Sequence, residues 1–243
     1  MKKTLLTAAV VALLGSSTFA QEEGDGGMKF ADGDKNFEFN FAPLGGSPLG
    51  MNGIKLRMFS SDAAIRLGIN LGGSTETTLQ QEAKAEDTDA GTPEMLELKD
   101  KESTFMLNIR PGYEMHMEGT DRLSPYMGAE IDFAMMSSKS VDQEEADNDA
   151  DGEMEVVTTT TTNPSMRFGI NLLAGADWYF SKKVYLGAEL GFGFAINSPG
   201  KTKTTSDNKA DGYKDPDPSK AGSTSTLNWG PNVNSSLRIG FLF

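Results

Sequence analysis

Eight stretches of the chain alternate apolar and polar residues with a period of two, the spacing that sends successive side chains to opposite faces of a strand. They span residues 36–44, 53–59, 64–72, 104–117, 126–135, 166–180, 184–196 and 232–243. In the third, Ile65, Leu67, Ile69 and Leu71 oppose Arg66, Gly68 and Asn70; in the last, Val233, Leu237, Ile239, Phe241 and Phe243 oppose Asn234, Ser236, Arg238 and Gly240. Lengths of about 9 to 13 residues suit tilted strands that cross a bilayer better than the shorter strands of a soluble sandwich. The connections 60–63, 118–125 and 181–183 are tight, whereas 73–103, 137–164 and 197–231 are long, polar and irregular, and 45–52 is the shortest of that set. Short turns on one side and long loops on the other predict an all-β, eight-stranded antiparallel up-and-down transmembrane barrel with periplasmic turns and extracellular loops.

The charges obey the same alternation. Within the strands the acids are Glu38, Glu114, Glu130, Asp132, Asp177 and Glu189, and the bases are Lys55, Arg57, Arg66, Arg110, Arg167 and Arg238. All twelve fall on the parity opposite the apolar set, and their formal charges cancel. An Arg or Lys facing lipid at the midplane costs about 2–4 kcal/mol, so this parity should face the lumen. Eight strands enclose an interior that side chains fill, and buried charges there must be paired. The lumenal charges are therefore read first as the ionic frame of the barrel and second as an ion path. Lumenal glycines such as Gly68, Gly128 and Gly187 leave room for long side chains. Aromatics cluster at strand ends, with Phe59, Tyr113, Tyr126, Trp178, Tyr185 and Phe241 toward the turns and Phe41, Phe105, Phe133, Phe194 and Trp229 toward the loops, which reads as two interfacial girdles. Pro111 removes a ladder donor within the fourth segment and should weaken pairing locally.

Composition adds location. Residues 1–20 have a basic start (Lys2, Lys3), an apolar core (residues 5–14) and a small-residue cleavage site at Thr18-Phe19-Ala20, the pattern of a cleaved export signal. No later stretch is long and apolar enough for a membrane helix, so any span must be built of strands. Residues 21–35 (from Gln21) are Gly- and Asp-rich and read as a flexible periplasmic lead, leaving 36–243 as the barrel. The formal charge of −13 becomes −15 without the signal, which argues against nucleic acid as a partner. The chain has no cysteine, which excludes disulfides, thiolate chemistry and lipoprotein anchoring.

Motifs that carry chemistry are few. Asp147, Asp149 and Asp151 in D-N-D-A-D-G match the start of a calcium loop, but Thr158 stands where the twelfth-position Glu belongs. Weak Ca2+ binding there, bridging to lipopolysaccharide phosphates, competes with a solvated acidic run. His116 is the only histidine; it falls on the lumenal parity near Ser60, Ser61 and Ser124, and no spacing makes it a catalytic base. No catalytic residue, cofactor or enzyme activity is expected.

Residues 53–71 (G-I-K-L-R-M-F-S-S-D-A-A-I-R-L-G-I-N-L) and the terminal S-S-L-R-I-G-F-L-F resemble the eight-stranded OmpA/OmpX-type porin-family barrels of Gram-negative bacteria. The hairpin's style, and Gln21 after the cleavage site, look like Bacteroidota members. The resemblance implies an outer-membrane location, lipid and lipopolysaccharide neighbours, and a C-terminal assembly signal at Phe241 and Phe243 read by barrel-assembly machinery. Three roles follow: a plugged structural or interaction barrel displaying acidic loops, a narrow channel for ions or small solutes, or, most weakly, a lipid enzyme. A soluble lipocalin-like barrel, with its apolar face turned inward, is the rival fold.

Overall fold

The computed structural model describes residues 28–41, 53–83, 95–147, 154–208, 213–220 and 222–243. They form nine strands: β1 (Lys35–Phe41), β2 (Ile54–Ser60), β3 (Ala63–Ala83), β4 (Met95–His116), β5 (Leu123–Asp147), β6 (Met154–Ser181), β7 (Val184–Pro199), β8 (Lys203–Ser206) and β9 (Thr226–Leu242). Every pairing is antiparallel, and eight strands close a ring in the order β1–β2–β3–β4–β5–β6–β7–β9. β9 closes it, laying Phe241, Ile239 and Leu237 opposite Phe37, Phe39 and Phe41 of β1, and Ile239 opposite Leu186 of β7.

The ring is inside-out relative to a soluble protein. Ile65, Phe168, Leu172, Leu190, Phe194 and Trp229 are exposed on its outer face, Trp229 by 72%. Glu38, Arg57, Glu114, Asp177 and Arg238 are wholly buried inside it. A lipocalin-like barrel would show the reverse, so that alternative is excluded.

Four strands, β3 to β6, are far longer than the alternation implies. β1 and β2 have 7 residues each, whereas β5 has 25 and β6 has 28. Much of 73–103 and 137–164, expected as irregular loop, is paired hairpin: β3 runs in register with β4 out to Ala83 and Met95, and β5 with β6 out to Asp147 and Met154. Polar residues on both faces erase the alternation without preventing the ladder, because backbone hydrogen bonds do not depend on side-chain polarity. The β-branched run Thr158–Thr162 favours extended backbone. Where β7 ends, β8 takes over the free edge of β6. At Pro111 the register is kept, but the β4–β5 ladder has no pairs at Arg110 and Pro111, the local weakening that a missing donor produces.

The turn-side girdle needs correcting. Tyr113, Trp178 and Phe241 face outward, but Phe59, Tyr126 and Tyr185 point into the interior. They lie on the parity of Arg57, Gly128 and Gly187, so the period was a better guide than position along the strand. Phe59 and Tyr185 build a small apolar floor with Ala64, Tyr179 and Leu242, against which Met28 and Phe30 pack. The last part of the lead is therefore docked: Gly33 donates to the Phe59 carbonyl at 3.0 Å, and the Ser61 amide donates to Asp32 at 2.9 Å. Tyr185 faces Gly240 directly across the β7–β9 ladder, and a Cβ at Gly240 would overlap the phenol ring. Gly240→Val is expected to lower stability by about 1–3 kcal/mol through overpacking, read by urea unfolding of refolded protein.

Candidate functional site

All eight ring strands contribute to one buried ionic core. Arg57 of β2 reaches Asp177 at 2.7 Å, Glu114 at 2.9 Å and Glu38 at 3.1 Å, and bonds the Tyr185 hydroxyl. Arg66 of β3 reaches Glu114 at 2.7 Å, Glu189 at 2.9 Å and Glu130 at 3.1 Å. Arg238 of β9 reaches Glu38 at 3.1 Å, Asp177 at 3.2 Å and Glu189 at 3.5 Å. Lys55 lies 3.0 Å from Glu38 and 3.3 Å from Glu189. Each guanidinium spans several carboxylates from different strands, a sharing that its planar set of donors permits.

The geometry depends on what sits opposite. Tyr126 donates to Glu189 and Tyr185 to Glu38, each at 2.6 Å, so the two inward phenols complete the carboxylates' acceptor sets. At Gly187 a Cβ would come within 2.7 Å of the Arg238 guanidinium, so glycine is the residue that admits this arginine beside Asp177. Arg57 also stacks against the rings of Tyr185, Phe59 and Tyr126 at 5.1 to 5.6 Å.

Toward the loops the network thins. Arg110 lies 3.7 Å from Glu130 and donates to the Asn70 amide oxygen at 3.0 Å, while Arg167 pairs with Asp132. Asn171 donates to Glu130 at 3.1 Å and Asn108 donates to Asp132. Beyond them opens a cavity of about 300 Å³, lined in part by Asp132, Arg167, Asn171, Asn197 and Asn228.

At the turn side, His116 Nδ1 lies 2.9 Å from Ser124 Oγ, and Nε2 lies 3.5 Å from Glu114. A serine, a histidine and an acid thus meet, but Ser124 is buried to 1% exposure and Phe30 covers the imidazole edge-on at 4.6 Å. The hydroxyl is sealed in the interior, and the trio adjoins the ionic core through Glu114.

The structure brings all twelve sequence-identified charges into the interior, the densest contacts gathering around Arg57, Arg66 and Arg238. Phe241 and Phe243 are exposed, and Phe243 exchanges backbone hydrogen bonds with Lys35 just beyond β9. Asp147 ends β5, while Asp149 and Asp151 lie outside the described residues. Among the described residues no group of three or more His, Asp or Glu could hold a metal. The polar partners Tyr126, Tyr185, Asn36, Asn108 and Asn171 were not anticipated, although each sits on the lumenal parity.

A family model described as "Putative OmpA-OmpF-like porin family" matches residues 51–198, more than half of the chain. Two solved structures are similar: Acinetobacter baumannii CarO2, at 14% identity over 86% of this chain and 96% of that one, and A. baumannii CarO, at 12% identity over 88% and 97%. Both have a TM-score of 0.35. No curated protein matches the sequence.

Proposed function

The chain belongs to the OmpA-OmpF-like porin family of outer-membrane barrels, and from that premise we propose that it is a plugged, non-conducting barrel whose role is to carry a protruding β-sheet outside the membrane. The observation that carries this reading is the ionic core. Four cations and five carboxylates, drawn from all eight strands, cross-link the interior while almost wholly buried. Opening a path would separate several buried ion pairs at once, each costing about 3–5 kcal/mol when one partner is lost. The apolar outer face meets lipid, residues 1–20 are the cleaved export signal, and barrel-assembly machinery reads the end marked by Phe241 and Phe243.

Planar-bilayer recording on refolded protein tests the closed lumen. The expected trace is a flat baseline with no discrete steps. Reproducible steps that disappear on Arg66→Met or Glu130→Gln would replace this reading with a narrow channel for ions or small solutes.

A further inference from the structure

The cavity on the loop side of the ionic core owes its space to small residues. β7 and β9 pair there with Gly193 opposite Gly230 and Ala195 opposite Asn228. A Cβ at Gly193 would overlap the Asn171 amide oxygen, so glycine is what lets that side chain lie against the wall. A Cβ at Gly230 would meet nothing within 4 Å. The volume left open, about 300 Å³, equals that of about ten waters.

The polar groups around it fall into two tiers. The deep tier is buried and already bonded: Asp132 accepts from Asn108 and pairs with Arg167, and Asn171 donates to Glu130 at 3.1 Å. The upper tier is free to bond. Asn197 stands two residues before the end of β7, half-buried, and Asn228 two residues into β9, exposed. Neither side-chain amide has a partner among the described residues. Arg167 Nε is buried and also lacks a hydrogen-bond partner there.

These groups select a class of ligand. Asp132 and Arg167 are the two charged side chains of the lining, and they neutralise each other. An anion or a cation therefore meets no uncompensated opposite charge. An apolar ligand would strip water from the two amides and the guanidinium without replacing its hydrogen bonds. Each amide offers donors and an acceptor, and the guanidinium offers donors only. Hydroxyl groups both donate and accept, so they match the whole set. The chemistry asked for is a neutral, compact ring bearing several hydroxyls.

We propose that this cavity binds one neutral hexopyranose ring, free or at the end of a glycan, with Asn197, Asn228 and Arg167 as its hydrogen-bonding partners. For the test, the mature chain, residues 21–243, is refolded in dodecylphosphocholine micelles, which carry no sugar. It is titrated with methyl glucoside, methyl galactoside and methyl mannoside under saturation-transfer NMR. At least one should show saturable transfer to its ring protons. Asn197→Leu/Asn228→Leu removes the upper amides and leaves the ionic core untouched. It should keep heat-modifiable gel migration and bind the same glycoside about 10-fold more weakly. Ala195→Phe, which fills the cavity, should abolish binding. A trisaccharide ending in the same sugar distinguishes the sources: its binding assigns a glycan end, and its exclusion a free sugar. Absence of saturable transfer to all three glycosides would overturn the proposal. So would equal affinity in the double variant, or tighter binding of glycine or acetate than of any glycoside. Binding is read without current, so this result is separate from the test of the closed lumen.

Discussion

Arg57→Ala is expected to destabilise the barrel by about 3–5 kcal/mol, the cost of removing one partner from a buried ion pair. The substitution takes a cation from three carboxylates at once, Glu38, Glu114 and Asp177, which Arg57 holds at 3.1, 2.9 and 2.7 Å, and leaves Glu114 to Arg66 and Asp177 to Arg238. It also takes a bonding partner from Tyr185 and opens space beneath the Phe59 ring. Lys55→Met should cost clearly less, since Lys55 reaches only two carboxylates and each keeps two arginines, Glu38 with Arg57 and Arg238, and Glu189 with Arg66 and Arg238. Urea unfolding and refolding in detergent micelles, followed by tryptophan fluorescence, measures both. A loss under about 1 kcal/mol for Arg57→Ala would mean that the core tolerates separated charges, and the closed-lumen reading would lose its basis.

Removing the seven residues after Ser236 should abolish folding to a heat-modifiable monomer. That segment supplies the whole β1–β9 ladder, from Leu237 opposite Phe41 to Leu242 opposite Asn36, and part of the ladder to β7. It also carries Arg238, whose loss leaves Glu38, Asp177 and Glu189 short of a cation. An open ring leaves two long edges unpaired, and an unpaired edge is a template for aggregation. Deleting only 148–153, between β5 and β6 in the chain, should leave assembly intact. A protease-resistant monomer from the C-terminal truncation would show that closure by β9 is dispensable.

These effects locate stability in contacts between residues far apart in the chain, which bears on how much could be read beforehand. The inward placement of Arg66, Glu130 and Arg238 was legible, because alternation and the high cost of charge against lipid are properties of each strand alone. Tyr126 and Tyr185 were misplaced by their position near strand ends, although their parity pointed inward. Thr158–Thr162 was unreadable for a different reason: with both faces polar, the period carries no signal, yet the backbone pairs for more than 20 residues on either side of that hairpin. The docking of Phe30 on Phe59 at 4.1 Å was hidden within a Gly- and Asp-rich lead that has no period at all.

Strand identity, facing, charge balance and the up-and-down order follow from local chemistry, since each depends on a residue and its near neighbours. Tertiary structure alone decided that Arg57 gathers Glu38, Glu114 and Asp177, and how far the hairpins rise beyond the belt. Those facts depend on register and ring closure, which couple β1 to β9 and β2 to β7 across the interior. Arg57 illustrates the division: its sequence position assigns it to the lumen, and only the closed ring places Glu38, Glu114 and Asp177 around it.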